Sequence, residues 1–165
     1  MAVLSEALIA FCLAVFIGTF VEYWVHRLMH AGVVYGKNHA KHHQEGTGQG
    51  WFGEFRGYFL PALVIIWLGF VVSPAAGIGF ALGGLAQAAW SAYAHQLQHE
   101  RPELVFWMPR PVHHLHHKKK MWHHNFGISF DFWDRVFGTY KPAGWEGTPT
   151  GGLTAYVSLF TIKWF

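Results

Sequence analysis

Thirteen histidines in 165 residues outnumber the nine acidic side chains, and their spacing points to metal chemistry. Ten fall into four groups. His26 and His30 form an HxxxH pair, and His39, His42 and His43 form an HxxHH triad. His95 and His99 form a second pair, and His113, His116 and His117 repeat the triad. Neutral imidazole is the commonest side-chain metal ligand. Residues i, i+3 and i+4 share one face of a helix. A pair therefore offers two rings to one ion, whereas a triad offers three and can reach two neighbouring ions. Ten such ligands are too many for one metal and suit two.

Spacing alone leaves the ion open, because imidazole suits zinc, copper, iron and nickel. A structural zinc needs only four ligands. The HExxH motif of metallohydrolases and the Glu-x-x-His motif of carboxylate di-iron bundles are both absent. No catalytic residue beyond the ligands themselves is expected. His114, His123 and His124 lie beside the ligands without a fixed role. Glu22, one turn before His26, is a candidate to orient that ring, and Asp131 and Asp134 are further candidates. For Gln87 and Ser91, helix–helix hydrogen bonding is the stronger expectation.

Such ligands need rigid carriers, and the apolar segments supply them. Ala2 to Val21 is apolar apart from Ser5, Glu6 and Thr19, and with the residues to Val25 it is long enough to span a bilayer. It lacks the basic start and small-residue cleavage site of a signal peptide, so a retained helix is expected. From Gly57 to His99 there is no Asp, Glu, Lys or Arg. Ser73-Pro74 divides this stretch into two expected helices, Gly57–Ser73 and Ala75–Ala94. Only 13% of the chain is charged, about half the usual share of a soluble domain. The net charge of +3 is too small to argue for nucleic acid. With three crossings, every Lys and Arg and every histidine group falls on one side, which the positive-inside rule makes cytoplasmic. The expectation is an all-α membrane protein: one domain over residues 1–165, about three transmembrane helices and a cytoplasmic histidine-rich helical cap. Residues Gly138 to Gly152 read as a loop. The tail from Leu153 to Phe165 reads as surface-lying or packed on the domain.

Across roughly Glu22 to Tyr140 the sequence resembles the fatty acid hydroxylase/sterol desaturase superfamily of membrane histidine-box oxygenases. The four histidine groups match in order and type. Asn125-Phe126-Gly127-Ile128-Ser129 followed by Trp133-Asp134-Arg135-Val136-Phe137-Gly138-Thr139 is similar to the family's C-terminal signature. The resemblance implies a pair of iron ions, with zinc able to occupy the same ligands, and O2 as cosubstrate. It implies hydroxylation or desaturation of a membrane lipid such as a fatty acyl chain or sterol-like lipid. No fused cytochrome b5 domain is present, so electrons are expected from a separate ferredoxin, cytochrome or reductase. The order of the groups and the short chain also resemble carotenoid ring hydroxylases, a second reading. A metal-binding or metal-transport membrane protein is a third. A transporter would place its polar ligands nearer the bilayer midplane than these histidines fall.

Overall fold

The computed structural model describes residues 2–145, 147, 153, 157 and 161–165, and all regular structure among them is helical. Within residues 2–145 six α-helices follow one another: α1 (Ala2–His30), α2 (Gly36–Glu45), α3 (Trp51–Ala62), α4 (Pro74–Glu100), α5 (Val112–Lys118) and α6 (Phe132–Val136). Short 3-10 turns lie at Leu68–Val71 and Pro102–Leu104.

The two long helices form the frame. At ~1.5 Å per residue, α1 and α4 are each about 40 Å long, and they pack against each other along most of that length. Small residues allow the approach. A side chain at Gly79 or Gly83 would strike the backbone of Ala7 or Phe11 on α1. α4 begins where Ser73-Pro74 predicts. Pro74 stands at its first turn, and the Ser73 hydroxyl accepts a hydrogen bond from the Ala76 N–H. It continues past the expected end at Ala94 to Glu100, so His95 and His99 occupy its last turns, as His26 and His30 occupy those of α1.

The expected helix over Gly57–Ser73 is not formed as one piece. α3 starts six residues earlier, at Trp51, and ends at Ala62. Pro61 lacks an N–H and disfavours a continuous helix. Turn bonds then carry the chain onward: the Val64 N–H donates to Pro61, Leu68 to Ile65, Phe70 to Trp67 and Val72 to Gly69. These bonds pair much of the arm's backbone even though Val64, Val71 and Val72 are highly exposed. This irregular arm runs antiparallel to α4. Glu54 lies opposite His95, and Gly69 lies against Ala76 and Gly77.

The fold is polarised end to end. Exposed Val, Leu, Ile and Phe cover α1 from Val3 to Phe20, the arm from Leu63 to Val72, and Ile78, Leu82 and Leu85 of α4. Among the described residues one helix, α1, is long and apolar enough to cross a membrane, where about three were expected. Polar Gln87, Ser91, Gln96 and Gln98 occupy α4, and the second arm is broken.

At the other end, α4 covers a small core of Tyr93, Leu97, Leu104, Val105, Met108, Val112 and Ile162. The last residues pack here: the Trp51 N–H donates to the Lys163 carbonyl and the Phe52 N–H to that of Trp164. Of the expected loop, 138–145 is irregular as read. Residues 146 and 148–152, and most of 153–160, lie outside the described residues.

If close approach of α1 and α4 sets the frame, Gly79→Val should cost about 1–3 kcal/mol. Gly84→Val, where an added side chain meets nothing within 4 Å, should be near neutral. Thermal unfolding of the two variants in detergent checks this; equal losses would contradict it.

Candidate metal centre

Four helices bring the histidines together. α1 supplies His26 and His30, α2 supplies His39, His42 and His43, α4 supplies His95 and His99, and α5 supplies His113, His116 and His117. Nine of the ten form two groups. In the first, His26, His30, His39, His43 and His116 each place a ring nitrogen within 4.8 Å of the others; in the second, His42, His99, His113 and His117 do the same.

The spacing explains the division. His39 and His43, at i and i+4, go to the first group, while His42, at i+3, goes to the second. In α5, His113 and His117 go to the second group and His116 to the first. Each triad therefore serves both groups, and neighbouring residues on one helix link them. The stacked rings of His43 and His117, with centroids 3.9 Å apart, lie between the two.

His95 is the tenth. By this pattern it corresponds to His26, but its nitrogens fall outside the second group. Its ring centroid lies 4.4 Å from that of His113, 4.7 Å from His99 and 5.0 Å from His42. Its Nδ1 sits 2.9 Å from the Glu54 carboxylate, and both side chains are buried. Glu54 also accepts the Gln49 N–H. The sequence reading did not single out Glu54. Its signal was faint: the last acidic residue before a long uncharged stretch.

Ring orientation fits metal binding. His26 Nδ1 lies 2.6 Å from the Phe126 carbonyl and His116 Nδ1 2.6 Å from the His124 carbonyl. A carbonyl only accepts, so each Nδ1 carries the proton and Nε2 keeps its lone pair facing inward. In the first group, Nε2 atoms stand 2.9 Å apart for His30–His39 and His30–His116, and 3.1 Å for His30–His43 and His39–His43. Metal–imidazole bonds of ~2.1 Å at right angles give edges of about 3.0 Å. A neutral imidazole has one N–H, so lone pairs would face each other here without a cation between them. His26 Nε2 and His117 Nε2 are buried with no hydrogen-bond partner. The residues therefore fit two imidazole-bound ions.

Burial holds the rings neutral. Desolvation first, then neighbouring imidazoles, lowers His39 to about 2, His42 to about 3 and His43 to about 4. His116 falls to about 3, chiefly by desolvation, and His113 and His117 are lowered as well.

The supporting carboxylates act through a loop. Glu22 does not touch His26. It accepts the Ile128 and Ser129 N–H groups and the hydroxyls of Ser91 and Ser129. Asp134 accepts the Phe126 and Gly127 N–H groups and the Thr139 hydroxyl. Together they fix the segment whose carbonyls orient His26 and His116. Ser91 bonds across helices as expected, donating to Glu22 of α1, whereas Gln87 donates within α4 to Ser91 and to Ser129 of the loop. Asp131 instead pairs with Arg135, away from the histidines. His114 Nδ1 meets the Gln98 carbonyl, His124 contributes its carbonyl, and His123 is exposed.

A family model for fatty acid hydroxylase matches residues 11–139, a span that includes all ten histidines and both loop carboxylates. The chain belongs to the fatty acid hydroxylase family. That family is membrane-associated and carries out metal-dependent oxygenation, which makes the chain an oxidoreductase. No curated protein and no solved structure matches it.

The neutral rings carry a pH consequence. An unfolded chain protonates its histidines near 6.5, whereas His42, His43 and His116 stay neutral in the fold down to about 3–4. The unfolded state therefore binds more protons in that window, so stability is full above 6.5 and is lost as the pH falls toward 4. Metal-free protein should lose ~5 °C or more of Tm between about pH 7.5 and about pH 5. A constant Tm would contradict buried neutral rings.

Proposed function

We propose that the chain is an O2-dependent hydroxylase or desaturase of a membrane lipid, such as a fatty acyl chain or sterol-like lipid, acting at a histidine-ligated pair of iron ions. The observation that carries this reading is the pair of buried groups of converging imidazole nitrogens at the edge of an apolar helical frame. All ten histidines are assigned as ligands, with His95 completing the second group as His26 does the first. The chain is read as a single catalytic domain.

When bound, the ions supply activation of O2 to a strength that oxidises an unactivated C–H bond. The chain's own residues do the rest. The Phe126 and His124 carbonyls and the Glu54 carboxylate aim the rings. Phe126, packed edge-on to His26 and His30, helps exclude water. An open apolar groove of about 550 Å³ between α1, the second arm and α4, lined in part by Ile9, Leu13, Ile17, Leu68, Val72 and Phe80, lies at the end away from the histidines and has room for the distal part of an apolar chain. All twelve Lys and Arg lie at or beyond Arg27, which supports a cytoplasmic histidine end. Electrons come from a separate carrier protein.

Lipid mass spectrometry of cells with and without the protein, under isotopically heavy O2, tests this. A lipid gaining label in a new hydroxyl, or losing two hydrogens, is expected only with the protein. His116→Ala and His42→Ala, one from each group, should each lower product roughly 100-fold or more while leaving membrane insertion intact. Unchanged product in either variant would contradict the assignment.

A further inference from the structure

Trp122 touches the histidine groups from outside. Its side chain is 41% exposed, yet its ring centroid lies 4.4 Å from that of His30 and 5.3 Å from that of His43. It follows the turn that closes α5, where the Lys120 N–H donates to the His117 carbonyl and the Met121 N–H to that of His116. Lys120 takes a left-handed φ of 51° in this turn. The same turn presents Lys118, Lys119 and Lys120, all exposed. The surrounding charge has one sign. Residues 23–44 and 104–130 contain no Asp or Glu, but carry Arg27, Lys37, Lys41, Arg110 and the three lysines. These two stretches supply every histidine of the first group.

We propose that Trp122 and Lys118–Lys120 form the docking and electron-entry surface for an acidic one-electron carrier protein. This rests on the oxygenase reading above. Hydroxylation places one oxygen atom of O2 in a C–H bond and releases the other as water. It consumes two electrons and two protons, so a one-electron carrier is oxidised twice per turnover. Electron transfer weakens steeply with distance, and a carrier seated on Trp122 is separated from His30 by a single indole. The lysines steer and orient an acidic face, and an exposed tryptophan suits the centre of such an interface. Anionic lipid would also attract three lysines, but it would draw no benefit from the contact of Trp122 with two ligand rings.

The test uses the metal-loaded full chain in neutral-lipid nanodiscs, with an acidic plant-type [2Fe–2S] ferredoxin as the probe. Binding should be measurable at low salt and weaken as salt rises. The triple variant K118E/K119E/K120E should bind about tenfold more weakly or worse, and K118Q/K119Q/K120Q, which removes the charge without reversing it, should show a smaller loss. Trp122→Leu should also weaken binding, and even at saturating probe it should slow oxidation of the reduced, anaerobic probe about tenfold or more. Probe binding that is absent in the wild type, or unchanged in both lysine variants, would overturn the proposal. So would a triple variant that binds the probe normally but loses attachment to phosphatidylglycerol vesicles, which would assign the lysines to the membrane. A wild type that carries no metal would instead defeat the oxygenase reading, and the binding measurements would still decide the surface.

Discussion

Buried imidazole lone pairs that point at one another are the constraint on which this structure depends. Each neutral ring has one N–H, and in the first group two of those protons are held outward by the Phe126 and His124 carbonyls. The remaining rings, His30, His39 and His43, have too few protons to satisfy every inward contact at separations near 3 Å, so some lone pairs face one another. Protonation cannot readily relieve this, because desolvation keeps rings such as His116 and His39 neutral. A cation in each group would turn the repulsion into coordination. Such binding would link folding to metal uptake.

The rest of the chain meets the geometric demands of that arrangement. α1 and α4 must lie close enough to bring two HxxxH pairs to one level, and Gly79 and Gly83 remove the side chains that would hold them apart. The segment from His124 to Ser129 must be rigid because its carbonyls set ring tautomers. Glu22 and Asp134 grip it from α1 and α6, each accepting backbone N–H groups. Trp133 packs on Phe16 and Phe20, and Phe137 stacks on Tyr23, which fastens α6 to the first helix. The apolar outer surface of the far half leaves this polar machinery at one end.

Much of this could be read from the sequence because it follows from helical periodicity. The i, i+3, i+4 rule placed the pairs on the long helices and allowed each triad to serve two ions, and Ser73-Pro74 marked the start of α4. Two features were beyond that reading. Pro61 broke the second arm, and the arm's true start at Trp51 depended on contacts with the distant residues Lys163 and Trp164. The carboxylate partners were the other gap. Glu22 stands one turn from His26 and invited a direct bond, yet it serves a loop more than a hundred residues away. Glu54 faces His95 only because the second arm runs antiparallel to α4. Long-range pairing of this kind leaves no periodic trace.

Metal analysis of protein purified from an iron-replete host tests the central claim most directly, comparing the wild type with His30→Ala from the first group and His117→Ala from the second. Two separate groups predict about two ions per chain in the wild type and about one in each variant. Fewer than about one ion in the wild type, or about two retained in both variants, would contradict a centre built from these histidines.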